Sequence, residues 1–182
     1  AAHVLISEAE RKAVHLRIGR LLLRSLPQEE VQEAIFDVVS QLNAGAALIA
    51  EPVERHHLAR LNADAGRKAE AAVAHRPAIT YFTLAFELIP GEPWETDPEL
   101  AFAVRLARAR CEYLNGNLAQ ARELAEEVRS RARTRADIAA AACLEADICL
   151  SEGEVQESVT CILDCLGLLG MPMSPHPTWE EA

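Results

Sequence analysis

Aromatic residues are scarce in this chain: two Trp, two Tyr and four Phe make up 4% of 182 residues, while half of all residues are apolar. A core must therefore be filled by Ala, Leu, Val and Ile. That suits closely packed helices and argues against a β-sandwich, which draws on aromatic and β-branched residues. Basic residues are also few. Eighteen Lys and Arg stand against 28 Asp and Glu, for a net charge of −10. Nucleic-acid binding needs clustered cations, and the one local group, Arg129, Arg131, Arg133 and Arg135, reads as a solvated helix end. No nucleic-acid partner is expected. No apolar run is long enough to span a bilayer and no signal-peptide pattern opens the chain, so no membrane partner is expected either.

The motifs of common catalytic chemistry are missing too. There is no G-x-x-x-x-G-K-[ST] phosphate loop, no H-E-x-x-H, no G-x-S-x-G and no G-x-G-x-x-G. The five cysteines, Cys111, Cys143, Cys149, Cys161 and Cys165, contain no CxxC and fall within apolar helical patterns. They read as small hydrophobes in a reducing, cytoplasmic setting. Cys161 and Cys165 share a helix face but have no further ligand at metal-site spacing. His56 and His57 diverge by about 100° on a helix, which prevents joint chelation and makes both surface residues. His15 has no nucleophile beside it. The chain is read as non-enzymatic, with no catalytic, cofactor-binding or metal-binding residues and no cofactor.

What is present is a ladder of small and large apolar residues. It runs Gly66, Ala78, Phe82, Ala85, Pro90, then Ala109, Ala121, Ala125, Val128, then Ala146, Ser158, Ile162, Cys165. In each group the second member follows the first by twelve residues, and the next two follow by four and then three. Small residues at fixed places in successive helices let those helices touch, and a repeat of that unit marks a helical solenoid.

Local signals supply the boundaries. Ser7 and Glu10 form a capping box, and Pro27 separates a first helix from a second, carrying Val31, Ile35, Val38 and Leu42. Pro52 opens a third helix and Pro77 lies near the start of a fourth. Residues 90–97 read as a loop ending in the cap Asp97. Gly116-Asn117 makes a turn in which Asn117 caps the next helix, Thr134 caps another, and Gly153 makes a second turn. Four hairpins are expected, at about 7–45, 52–89, 97–131 and 134–169, in one domain over 1–170 with an extended tail at 171–182. The turn glycines Gly116 and Gly153 are 153 − 116 = 37 positions apart, close to one ~34-residue repeat. In the tail, Thr178 and Glu181 carry another helix-start signature. That signature, with the absence of an initial Met, makes the chain read as a piece of a longer protein.

The ladder resembles the tetratricopeptide (TPR) pattern. Gly66, Ala78, Phe82, Ala85 and Pro90 match it well, and the two later groups have lost the aromatic and the final Pro. A narrower resemblance rests on His15-Leu-Arg-Ile-Gly-Arg-Leu-Leu-Leu23, Ile35-Phe-Asp-Val-Val-Ser-Gln-Leu-Asn43, Gly66-Arg-Lys-Ala69 and Pro175-His-Pro-Thr178. These stretches look like the helical region of large bacterial signalling proteins of the STAND predicted-ATPase class. In that class a helical-repeat segment follows an ATPase module, and many members add Ser/Thr kinase-like, GAF and histidine-kinase domains. The resemblance implies an all-α fold of antiparallel hairpins in a right-handed superhelix, with a regulatory or scaffolding role. It does not bring ATPase or kinase residues into this segment.

If the hairpins curve as TPRs do, their first helices line a concave side. Alignment on Gly66, Ala109 and Ala146 puts Arg60, Arg67, Glu70, Arg110, Tyr113 and Asp147 there. Arg binds carboxylates bidentately, and Tyr offers apolar area with a hydroxyl. The expected partner is protein, either a neighbouring domain or a signalling partner, and homo-oligomerisation stays open. The alternative is a small-molecule sensor, which needs a partly apolar pocket with a few convergent polar groups.

Overall fold

The computed structural model describes residues 7–174, and these are helical, with no strand among them. The expected Thr178–Glu181 helix start and the Pro175–Thr178 stretch lie outside the described residues. The helices are α1 (Glu8–Ser25), α2 (Gln28–Glu33), α3 (Ile35–Ala44), α4 (Pro52–Ala71), α5 (His75–Leu88), α6 (Pro93–Thr96), α7 (Pro98–Leu114), α8 (Leu118–Arg131), α9 (Arg135–Ser151) and α10 (Val155–Leu168), with a 3-10 turn at Ala46–Leu48. They form two compact units that meet in sequence between Val104 and Arg105, inside α7.

In the first unit, α1 packs on α3, and α4 on both α3 and α5. The ladder glycine is a point of close approach. A Cβ on Gly66 would sit 2.5 Å from the ring of Phe82, which is itself 1% exposed. Only a residue without a side chain lets α4 and α5 approach this closely. Ala78 and Ala85, one turn either side of Phe82, are fully buried, so the spacing read in sequence is the spacing of this contact.

The expected second helix is broken at Ala34 into α2 and α3. At the break Lys68 of α4 takes up the freed carbonyls, its ammonium donating to those of Gln32 and Glu33 at 2.9 and 2.8 Å. Those carbonyls end α2, and a cation suits that position. The same ammonium lies 5.5 Å from the Phe36 ring, which stacks on Tyr81. Asn62, fully buried in α4, exchanges amide hydrogen bonds with Asn43 at 2.8 and 2.9 Å and donates to Leu58 O. The loop expected at 90–97 contains the short helix α6, whose Trp94 is buried edge-on to Phe86 with ring centroids 5.8 Å apart.

In the second unit, Ala109, Ala121, Leu124, Ala125, Leu144 and Ile148 form the core, with Leu106 and Tyr113 packed against it. The capping boxes at Ser7 and Thr134 both form, the latter with Asp137. Asn117 behaves differently. Its side chain makes no cap bond and instead donates to Glu112 at 2.7 Å, which gives buried Glu112 a partner.

Three helix ends share one geometry. At Gly116, Gly153 and Gly170 φ is near +83°, and the following N–H bonds back five residues, as in Asn117 N–H to Glu112 O at 2.9 Å. The same backbone turn ends α4, but with Val73 at φ 59° and Ala74 N–H bonded to Ala69 O. A β-branched residue is disfavoured there, so sequence gives no turn signal at this hairpin.

Candidate interaction groove

In the second unit, α8, α9 and α10 enclose an open groove of about 590 Å³. Its α9 wall is the stripe Ile138, Ala142, Glu145 and Cys149, advancing by four, three and four residues. Its α10 wall is Glu157, Cys161, Asp164 and Leu168 with the same spacing, and α8 contributes Arg122, Ala125, Glu126 and Arg129. The spacing puts each set on one helix face. The floor is small and apolar because Ala125 of α8 and Ala142 of α9 stand where larger residues would fill the gap.

Charge in the groove is arranged unevenly. Arg122 bridges Glu152 and Glu154 of the α9–α10 turn, the Glu154 contact being 2.7 Å. Arg129 pairs with Glu145 at 3.0 Å. Both cations are thereby engaged, while Glu126, Glu157 and Asp164 are exposed along the rim. Burial raises the Glu145 carboxyl above its ordinary range, although Arg129 opposes it. Cys161 packs against that carboxylate, with Sγ 3.5 Å from Oε2. Burial first, and then the charge of Glu145, push its thiol up to about 12. Burial also raises Cys149 and Cys165. The three thiols are thus protonated at neutral pH, Cys161 donating to the Glu145 carboxylate, and they line the groove as weakly polar groups instead of nucleophiles.

Sequence spacing points to no cluster of metal-ligating residues. The fold brings Cys149 Sγ and the carboxylates of Glu154 and Glu157 within 4.8 Å of one another. Arg122 already supplies positive charge to Glu154 at this place.

The residues read from sequence as groove-lining are placed as follows. Arg60, Arg67 and Glu70 lie on α4 of the first unit. Arg60 and Arg67 are exposed, and Arg67 pairs with Asp64 one turn away. Arg110 is exposed on α7, Asp147 is exposed on α9, and Tyr113 is half-buried against the second unit's core. None of the six lines the α8–α10 groove. Its walls come from other faces: Glu145 and Cys149, each two residues from Asp147, lie on nearly the opposite side of α9. His56, expected at the surface beside His57, is half-buried and hydrogen-bonded to Asp97 at 2.8 Å. Asp97 also caps α7 through Leu100 N–H. Among the described residues, no helix is long and apolar enough to cross a membrane.

No known family model matches this chain, and no solved structure matches it. It is similar to hybrid signal transduction histidine kinase G of Dictyostelium discoideum, with 27% identity over 156 residues, covering 73% of this chain. The chain spans about 4% of the length of that relative.

Proposed function

We propose that this chain is a non-catalytic interaction and regulatory segment of a larger signal-transduction protein, and that the α8–α10 groove is its protein-docking surface. The observation that carries the reading is the groove itself: an open apolar floor of small residues and protonated thiols, edged by exposed carboxylates. Docking surfaces place apolar contact at the centre and polar groups at the rim. The similarity to a histidine kinase supports a signalling context. The burial of ladder residues such as Gly66, Phe82, Ala109 and Ala121 supports a TPR-like arrangement, and the STAND-class resemblance of the sequence belongs to the same proposal.

The test is a photo-crosslinking amino acid at position 160, on the groove rim, in the full-length protein, with the same group at exposed Ser40 as control. Docking predicts protein adducts at 160 well above those at 40. Equal yields at the two positions would refute the reading. A second reading, small-molecule sensing, is favoured by the groove volume, which falls within the range of ligand sites. A thermal-shift screen separates the two, since a ligand at a hundred times its Kd adds about 2.7 kcal/mol.

A further inference from the structure

The outer face of α1 and the α8–α10 groove are complementary in three respects. The first is apolar surface. Val14, Ile18 and Leu21, at positions i, i+4 and i+7, are 52%, 40% and 55% exposed, forming a stripe on one side of a helix whose opposite side buries Leu16 and Gly19. An exposed stripe of three large aliphatics is the kind of surface a partner covers. The groove offers a floor of Ala125, Ala142 and Cys165 against which such side chains can pack.

The second is charge. Arg17 and Arg24 border one edge of the α1 stripe and are exposed. Glu157 and Asp164 border the groove along α10 and are exposed. The third is spacing. Arg17 to Arg24 and Glu157 to Asp164 are each seven residues apart, which is about 10.5 Å along a helix axis. Two ion pairs can therefore form together when the helices lie alongside. The chain's own tail is a poorer match, because Trp179 is followed by Glu180 and Glu181, which like-charged rim residues disfavour.

We infer that two copies of this chain dock through unlike faces, the α1 stripe of one copy entering the α8–α10 groove of another. This rests on the reading of the groove as a protein-docking surface. Each copy then offers one donor face and one acceptor face, so the contact generates rings if it closes and open chains if it does not. The ion pairs set register, and the apolar stripe supplies most of the affinity.

Sedimentation velocity of the chain over a range of concentrations tests it, with two variants that each disable one face. Ile18→Glu with Leu21→Glu removes the stripe. Thr160→Trp with Glu157→Lys obstructs the groove and reverses one rim charge. The wild type is expected to gain mass with concentration, and each variant to stay monomeric, with association weakened at least about tenfold. An equimolar mixture of the two variants keeps one intact donor face and one intact acceptor face, and is expected to form dimers and nothing larger. Circular dichroism checks that each variant is folded, and dimer formation in the mixture shows directly that both retain their surviving face. A wild type that stays monomeric at about 300 μM, far above a micromolar Kd, overturns the inference. So does a mixture that fails to dimerise, or capture of the position-160 crosslinker by the same copy's residues 171–182. In each of these cases, protein adducts at position 160 in the full-length protein still decide whether the groove docks protein at all.

Discussion

Gly66→Ala sets helix propensity against packing. In an exposed helix interior, replacing Gly by Ala stabilises by about 1 kcal/mol. At Gly66 the added methyl would lie 2.5, 2.6 and 2.9 Å from three ring atoms of Phe82. Phe82 cannot swing away, because it is 1% exposed between Ala78 and Ala85, both fully buried. Overpacking of this kind costs about 1–3 kcal/mol, so the net expectation is a loss of about 1 kcal/mol. Gly167 is the internal control. It lies in α10 with nothing within 4 Å of a built Cβ, so Gly167→Ala should gain about 1 kcal/mol. The two identical substitutions are thus expected to differ by about 2 kcal/mol in opposite directions, measured by urea unfolding followed by far-UV circular dichroism. Phe82→Leu in the Gly66→Ala background removes the ring and should restore part of the loss, with a coupling energy on the order of 1 kcal/mol. If Gly66→Ala stabilises as Gly167→Ala does, the α4–α5 contact is not limited by that ring, and the account of the ladder glycine fails.

Other outcomes follow from buried polar groups. Asn43→Ala strips the fully buried Asn62 amide of its reciprocal partner and should cost about 1–3 kcal/mol in unfolding free energy. The raised carboxyl of Glu145 destabilises the folded chain once ionised, so wild-type stability should fall as pH rises through and above the ordinary glutamate value of 4.5. Glu145→Gln should lack that fall, so its stability relative to wild type, from urea unfolding, should improve between about pH 4 and pH 7. With its thiol near 12, Cys161 is about 10⁻⁴ ionised at pH 8. Iodoacetamide at that pH, read by peptide mass spectrometry, should therefore modify exposed Cys143 long before Cys161.

Periodicity made legible those helices that bury one stripe, and the ladder residues Ala78, Phe82, Ala121 and Ala125 are buried as their spacing requires. Signals that depend on a distant side chain were not legible. Nothing near Ala34 announces a break, and the group that satisfies the end of α2 is Lys68, over thirty residues away. Asn117 has the sequence of a cap, but its oxygen makes no cap bond and its NH2 group donates to Glu112. The turn at Val73 escaped because the chain adopts there a conformation its residue type disfavours. The groove was hidden for a related reason. A repeat pattern says which residues face a neighbouring helix, whereas a cavity is set by what three helices together leave unfilled, and Ala142 or Cys165 reads equally well as packed core.

The pairing of α4 with α5, its neighbour in sequence, also bears on how the chain comes to be folded. The α4–α5 hairpin needs only residues 52–88 to close its Gly66–Phe82 contact. At about 5–20 residues per second of synthesis, that stretch leaves a ribosome within roughly two to seven seconds. Helices form in about a microsecond and short loops close faster still. The hairpin can therefore be complete on the nascent chain before α9 has been translated. Translation arrested once α5 has left the ribosome should yield a protease-resistant fragment, whereas arrest with α5 still inside it should not.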